Sequence, residues 1–149
     1  MDWAYEAWDD LVKDLSHPHN HVRTIAAQVL SNLAKSDPQG RIFKDYDKIV
    51  AVTQDPKFVT ARHTLQAKWK VGAVSQKHQK MVLARLSTRF ADCVNDRNTT
   101  LSRYDIIDGL RKLYDLTPDE QIKSTALALI ETEPDTKYRK KYSACWRRI

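Results

Sequence analysis

Five prolines divide this chain into segments of similar length. They stand at Pro18, Pro38, Pro56, Pro118 and Pro134, separated by 20, 18, 62 and 16 residues, and 62 is close to three further steps of the same size. Proline is favoured in the first turn of a helix, where its missing N–H costs nothing, and it disrupts a helix interior. The spacing therefore predicts roughly eight helices of about 14–18 residues placed end to end, with the first four prolines at helix starts.

Apolar residues recur with the period of an α-helix between these breaks. The clearest stripe lies in the second predicted helix, where Asn20 is the expected N-cap. Near the end of the chain, Thr117 and Pro118 predict the N-cap and first position of the seventh helix. Residues 49–53 resemble a strand locally, but the flanking period favours a helix. The predicted helices span about 2–16, 20–35, 38–53, 57–73, 76–94, 100–115, a seventh after Pro118, and 135–147.

The composition excludes several classes of protein. With only three glycines and two cysteines in 149 residues, the chain has no glycine-rich phosphate loop, disulfide framework or zinc quartet. No apolar run approaches the roughly 18 residues of a transmembrane segment, and the first residues lack a basic and then apolar leader. These features predict a single domain over residues 1–149, a cytoplasmic location and no cofactor.

The excess positive charge is concentrated at one end of the chain. Six basic residues in 137–149 account for the whole formal net charge of +6, because this segment has no acid and the rest is balanced. We predict a basic C-terminal helix over residues 135–149. It is either a capping helix with a solvated cationic face or a contact for a polyanion. The residues concerned are Lys137, Arg139, Lys140, Lys141, Arg147 and Arg148.

Two segments of the chain resemble each other. Residues 18–30 and 56–69 both read as a proline, a short gap, a β-branched residue and an arginine, followed by small and apolar residues. This pattern, with 38 residues between Pro18 and Pro56, resembles HEAT repeats and their armadillo-like relatives. The resemblance implies an all-α fold, a right-handed α-solenoid of about four HEAT-like helical hairpins, in which residues 135–149 form the capping helix.

The family pattern also concerns charge pairing between repeats. HEAT repeats often place an aspartate in the turn and an arginine six residues later in the second helix. Here His17 stands six residues before Arg23, and Asp55 stands seven residues before Arg62. The chain therefore departs from the family at the residues that would form an ionic ladder.

The resemblance implies which surface would bind a ligand. In HEAT-like proteins the second helices of the hairpins line the concave face. Arg62 has an alternative role, as a structural residue that bonds Asp55 or nearby carbonyls. Trp69 is a further candidate, because an indole can stack on a ligand. The residues that the resemblance places on the concave face are Arg23, Gln28, Arg62, Gln66, Lys70 and Arg103.

No residue pattern indicates a catalytic or metal site. His17, His19 and His21 lie close in sequence, but Pro18 interrupts them, and we interpret the cluster as a solvated turn. Cys93 lies on the apolar stripe of the fifth helix, which indicates a buried and inert thiol. The chain is therefore predicted to be non-catalytic and to hold no metal.

Two functions are consistent with the sequence, and the oligomeric state is left open. The first is a scaffold whose concave face binds a protein or peptide partner. The alternative is a nucleic-acid-binding protein, of the kind that acts in DNA-alkylation repair, using the concave face and the basic C-terminal helix. An apolar or mixed-charge groove would favour the protein partner. A positive stripe of Arg23, Arg62, Lys70 and Arg103 would favour nucleic acid.

Overall fold

The protein is built from α-helices. The computed structural model describes residues 6–93 and 99–147, and this part of the chain holds eight α-helices and no strand. The all-α prediction is therefore confirmed, and residues 49–52 are helical. We number the helices α1 (Trp8–Asp14), α2 (Asn20–Leu33), α3 (Arg41–Val52), α4 (Phe58–Lys68), α5 (Gln76–Asp92), α6 (Thr99–Leu116), α7 (Glu120–Glu131) and α8 (Thr136–Ala144). Short 3₁₀-helices, Ala34–Ser36 and Trp69–Ala73, extend α2 and α4.

The N-cap of the second helix lies one residue earlier than predicted. Pro18 lies in the turn, His19 is the N-cap, and Asn20 is already the first helical residue. The expectation that Asn20 caps this helix is wrong, because the His19 ring accepts the N–H of His21 and so satisfies one of the free donors of the first turn. The Asn20 amide instead donates to the Thr60 hydroxyl of α4 at 3.3 Å.

The N-cap of α7 also differs from the prediction, and it lies two residues later. Asp119 is the N-cap, because its carboxylate accepts the N–H of Gln121. The prediction of Thr117 as N-cap is wrong, since its hydroxyl donates to a carbonyl in the last turn of α6. Pro118 therefore lies in the turn, one residue before the cap, where its missing N–H is not needed. Pro56 and Pro134 also stand one residue before an N-cap.

Helices that are two apart in the sequence pack side by side. α2 packs against α4, α4 against α6 and α6 against α8, while α5 contacts both α3 and α7. Successive helices also contact each other, with α4 and α5 linked through the 3₁₀-helix Trp69–Ala73, so the even-numbered helices form one layer and the odd-numbered helices another. We call the outer surface of α2, α4, α6 and α8 the even-helix face. No described helix combines the length and apolar content that a bilayer crossing demands.

The core lies between the two layers. Burying one large apolar side chain stabilises a fold by about 1.5–3 kcal/mol, and every described helix contributes at least one. The buried indole N–H of Trp8 donates to Asp45 at 2.9 Å, so α1 is tied to α3 with its polar atom satisfied. The buried set includes Trp8, Leu30, Ile49, Leu65, Leu86, Ile107, Ile122 and Tyr142.

Glycine permits close contact between α6 and the 3₁₀-helix after α4. A Cβ atom placed on Gly109 would lie 3.3 Å from Cδ1 of Trp69, and one on Gly72 would lie 2.9 Å from Cδ2 of Leu113. Both distances are shorter than ordinary van der Waals contact. The half-buried indole of Trp69 is thus part of the packing between α4 and α6.

Candidate functional site

Three arginines near the starts of α2, α4 and α6 each bond an acid further along the chain. The pairs run from α2 to the turn before α4, from α4 to α6, and from α6 to the turn before α8. A ladder of ion pairs therefore connects the even-numbered helices, although no aspartate stands six residues before these arginines. The pairs are Arg23–Asp55 at 2.6 Å, Arg62–Asp105 at 3.0 Å and Arg103–Glu133 at 2.5 Å.

Arg23 forms the most complete of these links. Its Nε and Nη2 donate to the two carboxylate oxygens of Asp55, and its Nη1 donates to the carbonyls of His17 and Pro18. Burial alone would raise the pKa of Asp55, but hydrogen bonds from Arg23 and from the N–H of Lys57 outweigh it and lower that pKa. The side chain thus holds two turns together and is occupied by the fold.

Arg23→Lys is expected to lower the melting temperature by a few degrees, because an ammonium cannot bond both carboxylate oxygens and two carbonyls at once. The matched control is Arg85→Lys, since Arg85 pairs with Asp47 where both side chains are exposed and such pairs contribute little. Thermal unfolding followed by circular dichroism compares the two variants. Equal shifts would contradict a structural role for Arg23.

Arg103 is also occupied by the fold. Its Nη1 donates to Glu133 and its Nε to the carbonyl of Phe90 at 3.1 Å, and the guanidinium lies 4.7 Å from the centre of the Phe90 ring. Burial alone would lower the pKa of Arg103, but the hydrogen bonds to Glu133 and Cys93 and the attraction of these two groups together outweigh it and raise that pKa. Both side chains of this pair are buried, so Arg103 lies away from the surface where a ligand would bind.

Arg62 and Gln66 converge on a buried acid of α6. Asp105 accepts a hydrogen bond from the Nε of Arg62 at 3.0 Å and is also bonded by Gln66. Burial raises the pKa of Asp105, although these two hydrogen bonds act in the opposite direction. The Arg62 side chain is partly exposed, so it lies at the surface while its charge is matched by Asp105.

Three of the residues predicted for the concave face line one shallow cleft. We call it the α2–α4 cleft, with a volume of about 320 Å³. Gln28 and Gln66 stand on its two walls, and Lys70 closes it at the start of the 3₁₀-helix. The amides carry both donors and acceptors, so the surface can hydrogen-bond polar groups of either kind. Its lining is Gln28, Asn32, His63, Gln66, Ala67 and Lys70.

A second cleft lies at the other end of the even-helix face. We call it the α6–α8 cleft, with a volume of about 500 Å³. The neighbouring Cys145 sulfur, which also bonds the hydroxyl, raises the pKa of Tyr104, so this phenol stays protonated at neutral pH. The Nζ of Lys141 lies 5.3 Å from the centre of the Tyr104 ring. The lining is Tyr104, Asp108, Arg111, Lys112, Asp115, Lys141, Ala144 and Cys145.

The basic C-terminal helix presents most of its cations to solvent. Tyr142 and Trp146 of this segment are buried in the core, so the helix is packed on the fold through its aromatic side. Arg139 is half-buried, and Arg148 lies outside the described residues. The exposed cations are Lys137, Lys140, Lys141 and Arg147.

Comparison of this chain with models of protein families, with curated proteins and with solved structures finds no match.

The histidine-rich turn before α2 uses its rings to bond the main chain. Nδ1 of His17 accepts the N–H of His19 at 3.0 Å, and Nδ1 of His19 accepts the N–H of His21 at 3.2 Å. The rings of His19 and His21 lie 5.1 Å apart. Within residues 6–93 and 99–147, no three metal-ligating side chains converge.

Several residues of these surfaces and of the core beneath them were not predicted from the sequence. Asn32 follows Gln28 by one helical turn, and this spacing could have placed it in the α2–α4 cleft. Asp105 and Glu133 carry no local signal, because their arginine partners lie 43 and 30 residues away. Lys68 was also missed: it is fully buried, and burial followed by repulsion from an arginine lowers its pKa to about 7.

Proposed function

We propose that this protein is a non-catalytic scaffold whose even-helix face binds a protein or peptide partner. The eight helices would form four HEAT-like hairpins stacked as a short right-handed solenoid, with the even-helix face as the concave surface. Packing between helices two apart in sequence, and the ion-pair ladder between hairpins, support this arrangement. Binding would depend on complementarity over an extended surface and not on a deep pocket.

The mixed character of the α2–α4 cleft carries the proposal. Ile25 and Val59 are apolar and are 57% and 60% exposed. Ile25 lies one helical turn before Gln28 on α2, and Val59 lies one turn before His63 on α4, so each shares a side of its helix with a residue of the cleft. Apolar side chains beside amides suit a peptide, which has apolar side chains and a main chain of alternating donors and acceptors. A mixed groove of this kind is the feature expected for a protein partner.

Nucleic-acid binding is the second candidate, and one observation favours it. Asp105 is a buried carboxyl with a raised pKa, and Trp69 packs on Gly109, one helical turn away. An acid near an aromatic ring is what a base-modifying site needs. The phosphates would lack partners, however, because Arg23, Arg62 and Arg103 each pair with an acid and only Lys70 of the predicted stripe has no recorded ion pair among the described residues.

Selection of peptides from a displayed random library with the full chain tests the proposal. We expect the enriched peptides to bind the wild-type protein and to bind a variant carrying Ile25→Ser, Gln28→Ala and His63→Ala about tenfold more weakly. These side chains are at the surface, so their replacement changes stability little. Fluorescence anisotropy of labelled peptides gives the affinities.

Leu127→Ser is the matched control for this experiment. Leu127 is 41% exposed on α7, in the odd-numbered layer, so its replacement removes an apolar surface group away from the cleft. We expect the selected peptides to bind this variant as they bind the wild type. Peptides that bind all three proteins equally would contradict the α2–α4 cleft as the binding surface.

A further inference from the structure

We propose that the α6–α8 cleft binds an acidic segment of a peptide. This inference rests on the proposed function, because it assigns a chemistry to one part of the partner. Three lysines of α8 and the neutral opposite wall of the cleft support it.

The lysines of α8 form a stripe along the cleft. Lys137, Lys140, Lys141 and Ala144 follow the spacing i, i+3, i+4, i+7, which places them on one side of the helix. Lys141 and Ala144 line the cleft itself. Residues 136–147 contain no acid, and among the described residues no ion pair is formed by these lysines. Their charge is therefore available to a ligand.

The opposite wall, formed by α6, neutralises itself. Lys112 pairs with Asp108 at 3.1 Å, and Arg111 pairs with Asp115 at 2.9 Å, each one helical turn apart. Arg111 is held further by the Trp146 ring, whose centre lies 5.5 Å from the guanidinium carbon. The positive potential of the cleft thus comes from α8, and it attracts negative charge.

The spacing of the lysines fits an extended acidic chain. Alternate side chains of an extended peptide lie on one side, about 6.6 Å apart, and successive turns of a helix rise by about 5.4 Å. A peptide with a carboxylate at every second residue can therefore place one carboxylate near Lys137 and the next near Lys141. Lys140 lies between these two positions and can serve either carboxylate.

A peptide fits this surface better than a nucleic acid does. Single strands bind by stacking bases on exposed aromatic rings, and none of the phenylalanine, tyrosine and tryptophan side chains whose burial the structure describes is exposed. A duplex needs cations spread along its backbone, whereas the lining of the α2–α4 cleft holds a single lysine, Lys70. The observations therefore favour an acidic peptide at the α6–α8 end.

Fluorescence anisotropy with defined probes tests this inference. The probes are a labelled peptide of alternating Glu and Ser, its counterpart of alternating Gln and Ser, and single-stranded oligo-dT, all at about 0.15 M ionic strength. We expect the Glu peptide to bind the full chain and the Gln peptide not to bind. The variant K137E/K140E/K141E should weaken binding about tenfold or more.

Two further variants separate the cleft from net charge. K35E/K44E/K80E changes the charge equally at exposed lysines outside the cleft, and it should weaken binding less than about twofold. D108N/D115N removes the two carboxylates of the α6 wall and should tighten binding about two- to threefold. A gain of affinity is not expected from substitutions that merely damage the fold.

Three outcomes would overturn the inference. They are no binding of the Glu peptide, equal weakening by the two triple variants, and tighter binding of oligo-dT than of the Glu peptide. The last would assign the stripe to nucleic acid. Each outcome leaves the proposed function intact if the library peptides still bind the α2–α4 cleft variant more weakly than the wild type. If the library peptides bind both equally while the Glu peptide still binds the full chain, the proposed function alone is contradicted.

Discussion

Replacing Lys68 with methionine is expected to raise the free energy of unfolding at pH 7 by about 2–4 kcal/mol. The side chain is fully buried, and within the described residues its ammonium has no hydrogen-bond partner; it lies 5.6 Å from the centre of the Tyr46 ring. Burial and then repulsion from Arg89 lower the pKa of Lys68 from 10.5 to about 7, with smaller opposing and reinforcing effects of Asp47 and Arg85. Methionine has a similar unbranched shape and no charge, so it fits the same space.

The stability of the two proteins should depend differently on pH. The folded-state pKa of Lys68 is about 7 and the unfolded value is 10.5, so between them the unfolded chain binds more protons. The stability of the wild type therefore rises with pH in this window, by up to about 1.4 kcal/mol per unit. Below about pH 7 the lysine is protonated in both states, and the penalty is fully present. The advantage of Lys68→Met should shrink as the pH rises.

Urea unfolding at several pH values between about 6 and 9.5 measures this difference. Lys44→Met is the matched control, because Lys44 is exposed and the same substitution there should leave the pH profile parallel to that of the wild type. Parallel profiles for Lys68→Met and the wild type would show that the Lys68 ammonium reaches water in the folded protein, and the expected gain in stability would then also be absent.

The fold class could be predicted because apolar residues recur at helical spacing along the whole sequence. Each helix must bury one apolar stripe, and this requirement leaves a period of 3.6 residues that is visible without a structure. The predicted helix starts were less accurate, since a start depends on which side chain accepts a hydrogen bond from a free N–H of the first turn. His19 and Asp119 provide these caps, each one residue after a proline, where the residue preferences of N-caps had indicated Asn20 and Thr117.

The candidate surfaces could be predicted only where local spacing determines them. Gln28, Gln66 and Lys70 line one cleft because α2 and α4 are neighbouring helices whose apolar residues face the core, which leaves their polar residues side by side at the surface. Arg103 was placed on the same surface, yet it bonds Glu133, and that pairing depends on how α6 meets the turn before α8. Lys68 is buried by α3 and α5, which pack around the end of α4. Such contacts depend on the register between helices, which no local pattern specifies.

Glu133→Ala is expected to lower the free energy of unfolding by about 3–5 kcal/mol, because it leaves the Arg103 guanidinium buried without its acid. Arg103 would keep its bond to the Phe90 carbonyl, its hydrogen bond with Cys93 and its contact with the Phe90 ring, none of which supplies a carboxylate. Glu133 also accepts the N–H of Asp135, the residue that caps α8. Loss of the Glu133 carboxylate should therefore weaken the packing of α8 on the fold. Urea unfolding measures the change in stability, and hydrogen exchange of the α8 amides measures the local effect.

The double variant R103M/E133L separates the energy of the pair from the cost of an unpaired charge. Two apolar side chains of similar size leave no buried charge, and such replacements of buried pairs are often neutral or stabilising. We therefore expect the free energy of unfolding of the double variant to exceed that of Glu133→Ala by about 2 kcal/mol or more. It should lie within about 1 kcal/mol of the wild-type value. If Glu133→Ala alone lost less than about 1 kcal/mol, Arg103 would be finding water, and the ladder would not hold the last hairpin in place.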